Sequence, residues 1–182
     1  MQRKPFWKLL LLGVGYMLLG NIMSMILTVA LAAVIDNTIV QIILEIFTLF
    51  IFYALVFTVA YKDGVRERLM VKNHRIDAPI KGRWLRLGFV MWLVMCIPSV
   101  ILLLDRFLFL FKDYLIMFRF ICGAVYPLSI AVGVNNADID KMPLFYPFMV
   151  MAIYILIPLV AHLGFDFAYK EKLSPDIMYE KK

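Results

Sequence analysis

The sequence predicts an all-α integral membrane protein: a four-transmembrane-helix bundle with both termini inside, plus an interfacial or re-entrant helical segment near 107–134. Three observations carry that expectation. Of 182 residues, 64% are hydrophobic and 18% charged, whereas a soluble domain is about half apolar and about a quarter charged. The apolar residues gather in runs close to the roughly 20 residues that a membrane helix needs. The basic residues gather between those runs, and the strip 62–86 alone holds eight of the nineteen Lys and Arg residues. Lys and Arg resist translocation, so such a strip marks the cytoplasmic side and sets the orientation of the chain.

Taken in order, the first span is expected over 6–34, interrupted only by Lys8 near its start. It begins like a signal peptide, with Arg3 and Lys4 before an apolar run and Ala30-Leu31-Ala32 after it. The run is longer than a signal core of about 7–15 residues, so a retained span is expected. Ile35-Asp36-Asn37-Thr38 reads as a turn, and a second span over 39–61 contains one acid, Glu45. The strip 62–86 follows as a cytoplasmic basic loop, with Gly64, Pro79 and Gly82 as break points. It would be the largest solvent-facing surface of the protein. The third span covers 87–104 and the last 144–165, after a polar turn at 135–141. The whole chain is one membrane domain.

The stretch 107–134 is rich in Phe, Leu and Ile but carries Lys112, Asp113, Arg119 and Pro127. If it does not cross, fifteen basic residues lie inside and four outside, counted over the nineteen. If it crosses, the counts become about twelve and about seven, still positive-inside but less strongly. Its uninterrupted part, 120–134, is also short for a span. A segment that stays on the outer side, interfacial or re-entrant, is therefore favoured.

Candidate chemistry is sparse. Glu45 is an acid within a span, where charge is costly and a bonding partner or wet cavity is expected. Asn21, Ser24 and Thr28 lie on one helical stripe with Gly13 and Gly20, and Ser24 and Thr28 are near the depth of Glu45. Together they read either as an intramembrane proton or cation site or as helix-packing polar groups. His162 and Asp166, four residues apart, share a helix face and form a candidate proton-responsive pair, or simply a polar helix end. Arg66, Arg68, Lys72 and Arg75 are candidates for gripping anionic lipid headgroups or a partner's acidic surface. Asp63 and Glu67 are expected to pair locally with Arg66, Arg68 or a residue one turn away. Pro98, Pro127 and Pro158 either mark broken helices around a site or are ordinary membrane-helix prolines. Phe6, Trp7, Tyr61, Trp84, Tyr114, Tyr146 and Tyr169 read as interfacial belt anchors.

Several function classes find no support. Cys96 and Cys122 both lie in apolar runs without paired spacing, and the two histidines are far apart, so neither a disulfide framework nor a metal site is expected. No GxxxxGK[ST], HExxH or GxSxG pattern occurs. A net charge of +6 could suggest nucleic acid, but the basic residues border membrane segments, so none is expected as a partner. No cofactor and no enzymatic activity are expected. The partners expected are a bilayer with anionic headgroups and a membrane protein, either a different chain or a second copy of this one.

The run Lys62-Asp63-Gly64-x-Arg66-Glu67-Arg68, with Arg75-Ile76 and Lys81-Gly82 leading to Gly88, resembles a group of uncharacterised small membrane proteins from Gram-positive anaerobic bacteria. The tail, with Leu173-Ser174, Ile177, Tyr179, Lys181 and Lys182, is similar to the Lys-ended tails of that group. The resemblance implies a bacterial plasma-membrane protein of about four helices with no assigned activity. In length the chain is also similar to the substrate-binding subunits of energy-coupling-factor vitamin transporters, which have six spans. Two functions are therefore expected. One is a non-enzymatic subunit or accessory of a larger membrane complex. The other is a small-solute transporter or substrate-capture subunit using Glu45.

Overall fold

The structure is a computed structural model that describes residues 3–31, 38–108, 114–132 and 142–170. Among them all regular structure is helical: α1 (Phe6–Ala30), α2 (Thr38–Lys72), α3 (Arg83–Leu108), α4 (Tyr114–Ile121), α5 (Tyr126–Ala131), α6 (Phe145–Tyr154) and α7 (Ile157–Lys170), with a 3-10 turn at Gly123–Val125. The helices α1, α2, α3 and the joined pair α6–α7 are each long and apolar enough to cross a membrane. Side-chain pairs fix their directions. Arg3 meets Glu67 and Ser24 meets the carbonyl of Thr48, so α1 and α2 are antiparallel. Arg83 also meets Glu67, so α3 starts at the end where α2 finishes, and it packs chiefly on α6 and α7. Trp92 reaches Met151, so α3 runs antiparallel to α6–α7. Residues 3 and 170 therefore lie at the same end of an up-down-up-down bundle.

The bundle keeps its small polar side chains inside and presents an apolar surface outside. Leu11 and Ile26 on α1, Ile46 and Phe50 on α2 and Ile97 on α3 are each more than half exposed, whereas Asn21, Ser24, Thr28 and Thr48 are fully buried. In water such an exterior would drive aggregation. In lipid it is the expected solvent-facing surface, and small or polar residues belong between helices. The interior is closed by Met17, Phe52, Met91, Met95, Tyr146 and Tyr154, with the Phe52 and Tyr154 rings 5.2 Å apart.

Several expectations need correction. The strip 62–86 is not a loop throughout: α2 continues to Lys72 and α3 begins at Arg83, leaving 73–82 as the link. Gly64 does not break α2, because its bare backbone packs on Phe165 and Ala168 of α7. The turn does come at the far end, where His74 and Gly82 have positive φ. Nor is the strip wholly solvent-facing, since Asp63, Glu67, Arg83 and Trp84 are buried. Of the aromatics read as belt anchors, Trp84, Tyr114 and Tyr146 are core residues, while Phe6 and Trp7 are exposed. The last span is two helices, and its second part runs past 165 to Lys170. The turn at 35–37, the turn at 135–141 and the tail beyond Lys170 lie outside the described residues.

The three prolines differ in effect. Pro98 sits inside a continuous α3 and Pro127 lies at the start of α5, where its missing N–H costs no helical bond. Pro158 cannot donate, and the helix breaks at 155–156. Two carbonyls just before the break accept from side chains of other helices. Trp92 Nε1 donates to Met151 O at 3.1 Å, and the Tyr53 hydroxyl donates to Ile153 O at 2.5 Å.

The packing of α7 on α2 depends on Gly164, where a Cβ would lie 2.7 Å from the carbonyl oxygen of Phe57. Gly164→Leu should lower stability by about 1–3 kcal/mol or more through overpacking. At Gly15 an added Cβ meets nothing within 4 Å, so Gly15→Leu should leave stability within about 0.5 kcal/mol. Thermal unfolding of the detergent-purified variants checks the contrast.

Candidate functional site: an internal polar seam and a basic end

The segment 114–132 does not lie flat across the end of the bundle. Its 3-10 turn reaches down to Asn21, nine residues before the last residue of α1, or about 13 Å along the helix axis. At Gly123 the turn touches the backbone of α1 so closely that a Cβ would collide with the carbonyl oxygen of Asn21. A turn has backbone groups that no helix satisfies, and inside lipid each needs a partner in the protein. The seam between α1 and α2 supplies them. Asn21 Oδ1 accepts from the N–H of Ala124 at 3.0 Å and from the Tyr154 hydroxyl at 3.1 Å. The Thr48 hydroxyl lies 2.9 Å from Ala124 O and 3.0 Å from Glu45 O. Glu45 Oε2 accepts from the N–H of Leu128 at 3.0 Å.

The predicted intramembrane residues thus come together only in part. Asn21 and Glu45 both hold the inserted segment. Ser24 donates to Thr48 O at 3.2 Å, tying α1 to α2, while Thr28 donates to Ser24 O at 2.9 Å within its own helix. Among the described residues, neither hydroxyl bonds Glu45. Within this seam, Asn21 Nδ2 and Glu45 Oε1 have no hydrogen-bond partner among the described residues. Sequence reasoning missed Thr48 and Tyr154. Thr48 lies three residues from Glu45 and so on its face of the helix, a detectable signal. Tyr154 belongs to a distant helix and had none.

At the opposite end the charges are organised around a buried carboxylate. Glu67 Oε1 accepts from Arg83 Nη1 at 2.7 Å and from Arg3 Nε at 3.1 Å. Arg83 also donates to Lys4 O, and Arg3 to Ala78 O at 2.8 Å. Asp63 accepts from Trp84 Nε1 at 3.0 Å. Glu67 therefore binds the ends of α1 and α3, instead of the neighbouring arginines expected for it. Of the docking candidates, Lys72 and Arg75 are exposed, while Arg66 and Arg68 are half-buried. Two residues apart, Arg66 and Arg68 point roughly 160° apart around α2, so the four do not form one patch.

Asp166 is paired chiefly with Lys170, 2.5 Å away, while His162 Nδ1 stands 4.0 Å off. Cys96 and Cys122 are free thiols. Among the described residues no three His, Cys, Asp or Glu side chains gather as a metal-ligand set. No protein-family model, curated protein or solved structure matches this chain.

The seam makes a direct prediction. Asn21→Ala strands the Ala124 N–H and the Tyr154 hydroxyl, a loss of about 1–3 kcal/mol. In a Cys96→Ser background, it should also make the buried Cys122 react faster with a membrane-permeant maleimide, because the turn beside it is no longer held. Unchanged labelling and unchanged unfolding would show that Asn21 does not anchor the segment.

Proposed function

We propose that the chain is a non-enzymatic subunit or accessory of a larger membrane complex, set in a bacterial plasma membrane with its basic end in the cytoplasm. The observation that carries this reading is the shape of the basic end. The 35 residues of α2 give about 52 Å of helix against a hydrocarbon core of about 30 Å. Its apolar part ends at Tyr61, so the charged portion from Lys62 to Lys72 projects about 15 Å further. The buried Glu67–Arg83 pair braces that projection, presenting Arg68, Lys72 and Arg75 on a rigid support. The orientation follows from the excess of Lys and Arg at this end, and the bacterial membrane from the resemblance at 62–88 and in the tail. The segment 114–132 is read as re-entrant from the outer face.

Crosslinking in native membranes followed by detergent extraction should recover the chain with a second protein in fixed stoichiometry. Lys72→Glu with Arg75→Glu should abolish that association without changing the level of the folded chain. Recovery of the native chain only as a free monomer would overturn the reading.

One observation favours a second reading, transport of a proton or small cation: the unpartnered Oε1 of Glu45 in the seam. Glu45→Gln keeps an acceptor for the Leu128 N–H but removes the titratable group. If Glu45 carries protons, vesicles holding the native chain and an internal pH dye should acidify under an inside-negative potential, and Glu45→Gln vesicles should not. Equal responses would exclude this role.

A further inference from the structure

A groove of about 580 Å3 opens between the start of α1 and the projecting part of α2, lined by Lys4, Lys8, Leu11, Leu12 and Arg66. Its size falls within the range of small-ligand sites, about 300–1,000 Å3. The lining has two zones in a fixed order. Lys4 stands just before α1 and Lys8 in its first turn, and Leu11 and Leu12 follow one turn further along the same face. Three cations therefore stand at the end of the bundle, and an apolar floor begins immediately deeper. Leu11 is 64% exposed and Leu12 39%, so that floor is open to an occupant.

The electrostatics favour an anion strongly. No acidic residue lies in the first turn of α1, whose N-terminal dipole adds to the positive field. Glu67, the buried acid nearby, is engaged by Arg3 and Arg83. Among the described residues no ion pair involves Lys4 or Lys8. A neighbouring cleft of about 430 Å3, which shares Lys4 and includes Arg86, extends the basic surface. A free inorganic anion would use the cations but leave the leucine floor open. A molecule with a phosphate at one end and hydrocarbon at the other uses both zones, in the order in which the groove presents them.

We propose that this groove binds one anionic glycerophospholipid, its phosphate held by Lys4, Lys8 and Arg66 and an acyl chain laid over Leu11 and Leu12. The inference goes beyond the subunit reading and does not need it. Exposed Phe6 and Trp7 stand beside the groove at the level where aromatic side chains meet lipid headgroups.

The test is native mass spectrometry of the full chain, purified in detergent and titrated with phosphatidylglycerol or phosphatidylcholine. The native chain should retain phosphatidylglycerol preferentially. Lys4→Gln with Lys8→Gln should weaken that retention roughly tenfold. Lys72→Gln with Arg75→Gln removes the same charge from the same end and should leave it unchanged. Leu11→Trp, which fills the floor without touching a charge, should weaken retention of both lipids. Equal weakening by the two charge-neutralising pairs would reduce the effect to diffuse attraction and overturn the site. So would equal retention of both lipids by the native chain, or displacement of the lipid by inorganic phosphate at matching concentration.

Discussion

Inside a bilayer, a backbone N–H or C=O that leaves its helix must find another partner within the protein, and this constraint organises the interior of the bundle. Among the described residues, the chain leaves regular helix inside the bundle at the turn at 122–125 and at the break at 155–156. Side chains from other helices meet both. Asn21, Glu45 and Thr48 serve the first, and Trp92 and Tyr53 serve the second. Tyr154 connects them, since it donates to Asn21 from the last turn before the break. The buried polar residues are therefore conditions for departing from the simple bundle. Replacing Asn21, Glu45 or Thr48 with an apolar residue of similar size would leave a backbone group unpaired rather than merely alter packing.

This changes how Glu45 should be weighed. An isolated acid in a span suggests transport, because the cost of placing it there asks for a functional reason. Here one of its oxygens already has a structural task at the N–H of Leu128. That task alone could be met by a neutral acceptor, and the second oxygen is what keeps a transport role in view. Ser24 and Thr28 offer no such ambiguity. Both hydroxyls bond carbonyls of the bundle itself, the usual way for a membrane helix to bury a hydroxyl.

How far these features could be read from the sequence depended on whether their cause was local. The four long apolar helices were legible because apolar runs of sufficient length are a property of consecutive residues. The buried stripe Gly13–Gly20–Asn21–Ser24–Thr28 was legible from helical spacing, and all five are buried on α1. The extension of α2 to Lys72 was not. A charged run after a span reads as loop, and its conversion to helix depends on Arg83 and Arg3, which arrive from other parts of the chain. Trp84 misled for the same reason: the sequence places it beside the basic strip, but Asp63 draws its indole N–H into the interior. The insertion of 114–132 was legible as a segment unsuited to crossing. Its anchors lie about eighty to a hundred residues earlier, at Glu45 and Asn21, and no local pattern links them.

The buried ion pair at the basic end has a consequence for the surface around it. A carboxylate as buried as Glu67 is stable only if its partners are well placed, because losing one leaves an uncompensated charge in a low-dielectric site. Arg3 and Arg83 both meet that demand at Oε1, and each carries a second bond: Arg3 to the link at Ala78, Arg83 to the backbone of Lys4. The start of α1 is thereby fixed in two directions before its first turn begins. Lys4 and Lys8 then lie at set positions beside Arg66, so the groove owes its cation geometry to an acid that does not line it. Neutralising Glu67 would loosen the groove while raising its net positive charge. Charge and arrangement would thus act in opposite directions, and arrangement should dominate for an occupant that must place phosphate and hydrocarbon together.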